Sequence, residues 1–137
     1  MEESVRQPAD PDLRGAALIL HLTPRSEWTA GQKAGEYRAA SLTQDGFIHC
    51  STPRQITRVA DSFYRGQHGL VLLVIDPERL RPELRWEPPV HPGPQPDLPP
   101  GEELFPHLYG PLNLDAVVRV LEFEPDPDGK FPEHLLD

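Results

Sequence analysis

The side chains of this sequence that could do chemistry are the imidazoles of His21, His49 and His107, the hydroxyls of Thr23, Ser51, Thr52 and Tyr109, the Glu87 carboxylate, the Arg54 guanidinium and the Trp86 indole. An imidazole can move a proton near neutral pH, a carboxylate can orient it or hold a sugar hydroxyl, and hydroxyls beside a helix start share their donors with an anion. The densest grouping is Asp45-Gly46-Phe47-Ile48-His49-Cys50-Ser51-Thr52-Pro53. Asp45-Gly46 carries positive-φ turn chemistry, Phe47-Ile48 opens a short apolar strand, and Thr52-Pro53 joins an N-cap residue to a proline at the first helical position. Strand alternation puts His49 and Ser51 on one face and Ile48 and Cys50 on the other. The thiol is therefore directed away from His49, which excludes a Cys–His nucleophile.

A second strand, histidine and Thr-Pro-Arg pattern, His21 before Thr23-Pro24-Arg25, mirrors His49 before Thr52-Pro53-Arg54. Two such helix starts would aim backbone N–H groups and positive dipole ends into one cleft, with His21, His49 and Arg54 adding donors, and an anionic, phosphate-bearing ligand follows. His21, His49 and His107 are expected to line that cleft with Ser51 and Tyr109. Each candidate also has a plain structural reading: a half-buried histidine bonded to backbone, Ser51 and Thr52 as caps, Tyr109 and Trp86 as core aromatics, Glu87 as an exposed ion-pair partner. A zinc site from the three histidines lacks any short paired spacing, so no metal is expected. Glycine-rich phosphate loops, Rossmann fingerprints and nucleic-acid modules are absent.

The elements that must position these groups are legible as hydrophobic patterns. The apolar run from Ala16 to Leu22 has strand length, and a short helix over 24–30 should turn Trp28 inward before a mobile connection over 31–35. Ile56, Val59, Ala60, Phe63 and Tyr64 follow helical spacing over 53–65, with Arg58 on the solvent side. Leu70-Val71-Leu72-Leu73-Val74-Ile75 reads as a central strand buried on both faces. Glu83 to Glu87 alternates with Leu84 and Trp86 on one face, one helical turn is expected at 114–117, and 118–123 closes the sheet. The sum is an α+β fold: a single domain over 16–123 with a mixed, largely antiparallel sheet and a few short helices. Residues 1–15 and 124–137 read as tails, the latter dispensable. Seven prolines between Pro88 and Gly101 make 88–101 an extended loop, placed where a lid would be.

The chain has 137 residues, one cysteine and a net charge of −9, with 22 acidic and 13 basic residues. One domain of this size buries a core without staples, a single cysteine forms no internal disulfide, and no apolar run suits a signal peptide or a membrane span; a cytoplasmic location is expected. The negative charge argues against membrane surfaces and long nucleic acids and favours a small nucleotide, which meets only the local field of a pocket.

Four motifs in order carry a resemblance: Ile19-Leu20-His21-Leu22-Thr23, the Asp45-Gly46-Phe47-Ile48-His49-Cys50-Ser51-Thr52-Pro53 grouping, Leu84-Arg85-Trp86-Glu87-Pro88, and Leu104-Phe105-Pro106-His107-Leu108-Tyr109-Gly110-Pro111-Leu112. Over roughly 18–123 the chain resembles the bacterial family catalogued as domain of unknown function 952. The resemblance implies the ADP-ribosylation fold, shared with RNA 2′-phosphotransferases, and a cleft for NAD or a related nucleotide. It implies that His21 grips the ribose, that Ser51 and Thr52 shape the cleft, and that His107 or Tyr109 lines the reacting end. ADP-ribosyl transfer also needs a glutamate, for which Glu87, Glu102 and Glu103 are candidates; the Pro-rich insertion is a departure from the family pattern. The functional readings are an ADP-ribosyl or phosphoryl transferase-like enzyme, a non-catalytic nucleotide-binding or sensor module, and a metal-dependent hydrolase with a histidine site.

Overall fold

The apolar run Leu70–Ile75 is the strand that both halves of the core share. The computed structural model describes residues 18–89 and 103–132. Its elements are β1 (Ile19–Pro24), α1 (Arg25–Ala34), β2 (Glu36–Tyr37), α2 (Ala40–Gln44), β3 (Ile48–His49), α3 (Ile56–Phe63), β4 (Leu70–Ile75), β5 (Glu83–Glu87), β6 (Phe105–Tyr109), β7 (Leu112–Asn113) and β8 (Val117–Glu122), with short 3-10 turns at Pro77–Arg79 and Leu114–Ala116. β4 is the middle of the antiparallel sheet β1-β4-β8 and is sealed from solvent along its length. Alternation then divides it between two cores. Val71, Leu73 and Ile75 pack with Ile19, Trp28, Tyr37, Ile48 and Leu108, while Leu70, Leu72 and Val74 pack with Leu20, Leu22, Ile56, Ala60 and Phe123. Each such buried aliphatic contributes roughly 1.5–3 kcal/mol, which is why a strand with no polar face is stable here.

The architecture is α+β with antiparallel strands and few short helices. Among the described residues the expected mixed sheet is replaced by three small antiparallel ones, β1-β4-β8, β2-β7 and β3-β6-β5. The physical reason lies at Cys50 and Ser51: Cys50 N–H still bonds Pro106 O at 3.0 Å, but Ser51 turns to exchange backbone bonds of 2.7 and 2.8 Å with Leu20, carrying the chain from one sheet to the other.

Several expectations are corrected. Thr23 is a strand residue rather than a helix cap: β1 continues to Pro24, which pairs with Leu70, and α1 begins at Arg25 without a side-chain cap. The connection expected over 31–35 is mostly the last turn of α1. Gly31 allows a close approach there: a Cβ would come within 3.1 Å of Tyr37 Cα and Cβ, so Tyr37 would have to give by a few tenths of an ångström. Gly46 does take a positive φ of 89°, but it follows α2 and its C-cap Asp45 rather than joining a hairpin. Thr52 accepts from Gln55 N–H at 3.3 Å while Gln55 Oε1 accepts from Thr52 N–H at 2.9 Å, a reciprocal capping box around an initial turn; regular helix starts only at Ile56. Arg58, expected in solvent, pairs with Glu103. The stretch after Glu124, expected to be dispensable, packs back at least to Pro132: Phe131 is buried, stacks on Phe123 at 5.0 Å, and donates its N–H to Asp61. Most of the Pro-rich segment, including Glu102, lies outside the described residues, as do 1–17 and 133–137.

Candidate functional site

β1 presents Ile19, His21 and Thr23 on one face, and Tyr37, held on β2 against Gly31 of α1, reaches across to the two polar ones. His21 Nδ1 lies 2.6 Å from His49 O, and a carbonyl only accepts, so Nδ1 carries the proton and donates. His21 Nε2 is 2.8 Å from the Tyr37 hydroxyl, which is also 2.8 Å from Thr23 Oγ1. Burial holds the His21 pKa down to about 4, so the ring is neutral and Nε2 is an acceptor for the Tyr37 O–H. Burial above all, with the Glu27 charge adding to it, raises the Tyr37 pKa against the opposing effect of its bond to Thr23. The result is a chain of neutral donors and acceptors from Thr23 through Tyr37 and His21 to the His49 carbonyl.

This chain lies against a cavity of ≈ 400 Å³, lined by His21, Thr23, Tyr37, His49 and Ser51 on its polar side and by apolar side chains of α3 on the other. The volume is in the range of small-molecule sites. Among the described residues neither Lys nor Arg contributes to the lining, and Glu27 is its one carboxylate.

A second cluster occupies the face of β3-β6-β5 that points away from the core. Register places His49 opposite His107 and His107 opposite Arg85, while Ile48, Leu108 and Leu84 turn inward. His107 Nδ1 donates to Glu87 Oε1 at 2.8 Å, and the Tyr109 hydroxyl donates to the same oxygen at 2.6 Å. Those two bonds hold the Glu87 carboxyl below its ordinary pKa, and the bond to Glu87 raises that of Tyr109. The His107 side chain is only 1% exposed, and burial lowers its pKa while Glu87 pulls it back up. Beside it, His49 Nε2 contacts Asp45 Oδ2 at 2.8 Å, and Phe47 seats both rings, stacked on His107 at 4.1 Å and tilted against His49 at 4.7 Å. The two imidazoles meet edge to face with centroids 5.5 Å apart. Arg85 lies 4.4 Å over the Tyr109 ring.

The expected single cleft is thus two adjoining regions joined at His49, whose carbonyl holds His21 and whose ring meets His107. Of the candidates, His21, Thr23, His49 and Ser51 line the cavity, whereas Glu87, His107 and Tyr109 form the sheet-face cluster without lining it. Thr52 caps the turn before α3, Arg54 is exposed outside the lining, and Trp86 is 47% exposed on the opposite face of β5 from Glu87. Cys50 is buried with Ile48 in the core, and burial pushes its thiol up to about 12. Tyr37, Glu27, Asp45 and Phe47 were not singled out as chemical candidates. Only Asp45 had a usable signal, its spacing of four from His49. Among the described residues no group of three His, Cys, Asp or Glu could hold a metal ion, and both ring nitrogens of His21 are already engaged. None of the described helices is long and apolar enough to cross a membrane.

The crystal structure of protein CC0527 from Caulobacter crescentus is similar to this chain, with 35% identity, a TM-score of 0.70, and coverage of 84% of this chain and 93% of that one. The solution NMR structure of CC0527 matches at 36% identity and a TM-score of 0.65, covering 82% and 90% respectively. No curated protein matches. The family model described as "Protein of unknown function (DUF952)" covers residues 22–120, a span that begins just after His21, ends within β8 and takes in the whole sheet-face cluster, and the chain belongs to that family.

Proposed function

We propose that the cavity binds the ribose end of NAD or a related phosphorylated nucleotide and that the adjoining sheet-face cluster serves an ADP-ribosyl or phosphoryl transferase-like reaction. The observation that carries this reading is the junction at His49: a cleft walled by hydroxyls and a neutral imidazole abuts two carboxylate–imidazole pairs. Thr23, Ser51 and His21 offer the mixed donors and acceptors that sugar hydroxyls require. In the cluster, Glu87 fixes the proton on His107 Nδ1, which leaves Nε2 as the basic nitrogen, and the lowered pKa keeps it unprotonated at neutral pH, the state a general base needs. Glu87 would also be the carboxylate that a ribosyl transfer demands. NAD, when bound, supplies a ribosyl carbon with a ready leaving group; this chain supplies hydroxyl contacts, a base and a negative charge. The fold relationship to ADP-ribosyltransferases belongs to the same proposal.

A non-catalytic nucleotide-binding module is the second reading, favoured by the near-complete burial of the His107 side chain. Calorimetry with NAD, ADP-ribose and nucleotide 2′-phosphates, comparing wild type with His49→Ala, tests the binding claim. Chromatography of nicotinamide released from NAD by wild type and His107→Ala then separates enzyme from sensor. Binding lost in His49→Ala together with release lost in His107→Ala supports the transferase reading; binding without turnover supports the sensor; no binding at millimolar concentration removes both.

A further inference from the structure

We propose that Glu27 makes this cavity selective for charge: the group it accepts is a planar organic cation, and phosphate is kept outside it. This rests on the nucleotide reading above for the identity of the natural ligand, but the charge preference stands on the cavity itself. Glu27 lies in the first turn of α1, and among the described residues it is the one carboxylate in a lining that otherwise consists of hydroxyls, imidazoles, aromatics and aliphatics. Arg25, two residues before it, pairs with Glu122 at 3.0 Å, and Arg58 of α3 pairs with Glu103 at 2.5 Å. Neither of them lines the cavity. Glu27 is solvent-exposed, yet its charge reaches the lining: it adds to burial in raising the pKa of both Tyr37 and Tyr64. His21 offers nothing positive to offset it at neutral pH, because burial keeps the ring unprotonated. Phe63, Tyr64 and Tyr37 add aromatic rings to the lining, which favour a flat cation over a flat neutral ring of the same shape.

The arrangement runs against the sequence-based expectation of an anion pocket at two helix starts. The N–H of Arg25 is already bonded to Gly69 O at 2.9 Å, and Glu27 places a carboxylate where a phosphate would approach α1. A carboxylate in the first turn also favours the helix dipole, a role indifferent to ligand charge, so the test must read charge and not merely stability. Applied to a nicotinamide nucleotide, the cationic pyridinium ring of the oxidised form belongs in the cavity, and the reduced form, which has the same shape without the ring charge, is disfavoured.

The experiment is a calorimetric titration of wild type and Glu27→Gln with two matched pairs: NAD+ against NADH, and 1-methylnicotinamide against nicotinamide. The expected result is that wild type prefers the cation of each pair by about fivefold or more, a preference that Glu27→Gln abolishes while leaving the neutral members unchanged. If the dinucleotides do not bind but 1-methylnicotinamide does so in a Glu27-dependent way, the nucleotide reading fails and charge selection stands. Equal binding of charged and neutral members in wild type, a preference that survives Glu27→Gln, or no binding of any of the four overturns it. Circular dichroism of the variant, expected to match wild type, separates ligand selection from helix loss.

Discussion

His21 and His107 are both nearly sealed from water, yet they are held in opposite ways. His21 has only neutral hydrogen-bond partners, a carbonyl and a phenol; burial outweighs the opposing bond to the His49 carbonyl, and its pKa falls to about 4. His107 has a carboxylate, and Glu87 offsets part of the same burial cost. The difference teaches where proton chemistry can occur in this fold. A buried imidazole among neutral groups is a fixed hydrogen-bonding wall, whereas one paired with a carboxylate retains access to both protonation states.

The sharpest way to break this comparison is acid. In the unfolded chain His21 takes up a proton near 6.5, while the folded protein resists protonation down to about 4, so the unfolded state holds more protons in between. Stability from this group is therefore complete above the unfolded value and is lost as pH falls toward the folded one, by up to about 3 kcal/mol. Urea unfolding followed from neutral pH to pH 4 should show this slope, and His21→Gln should flatten it. An unchanged slope in the variant would mean that other groups govern acid sensitivity.

Next in size is Tyr37→Phe. Losing one hydroxyl leaves His21 Nε2 and Thr23 Oγ1 buried without their partner, at a cost of about 1–3 kcal/mol by urea unfolding. NMR titration of His107 in the same variant should be unaltered, because the two regions share only His49. A matched shift of His107 would show that they behave as one network.

Glu87→Gln addresses the other side. Removing the negative charge takes away what raises the His107 pKa, so its NMR midpoint should move further below the ordinary histidine value, with His21 unaffected. A midpoint that stays in place would mean that Glu87 does not help to set the protonation of His107.

How much of this was readable in the sequence depended on the range of the interactions. β4, β5, β8, the inward Trp28 and the separation of Cys50 from His49 all follow from local alternation, and the structure has them. Tyr37 could not be found that way, since β2 is two residues long and its importance comes from a partner on β1 and a glycine on α1. Thr23-Pro24 shows the opposite error: a sound capping signature was overridden because pairing with β4 extends β1 through Pro24. Phe131 was read as tail because a lone aromatic in an acidic, proline-bearing stretch carries no periodicity, although its contact with Phe123 is part of the core.

The smallest effect is expected outside both regions and sets the floor for the comparison. Arg54 stands beside a cap and was expected to feed positive charge into the cleft, but it is exposed and absent from the lining. Exposed substitutions without a buried partner change stability by no more than about 0.5 kcal/mol, so Arg54→Ala should unfold with wild type and bind any ligand of the cavity with unchanged affinity. Arg58, one helical turn on, is the internal control. Its guanidinium holds Glu103, whose carboxylate is only 20% exposed and also accepts from Gln55. Arg58→Ala strands that partly buried carboxylate and should be clearly more destabilising than Arg54→Ala in the same urea series. Should the order reverse, or should Arg54→Ala weaken binding severalfold, the positive field of the cleft would lie at the Thr52-Pro53-Arg54 turn after all, and the charge selection assigned to Glu27 would have to be given up.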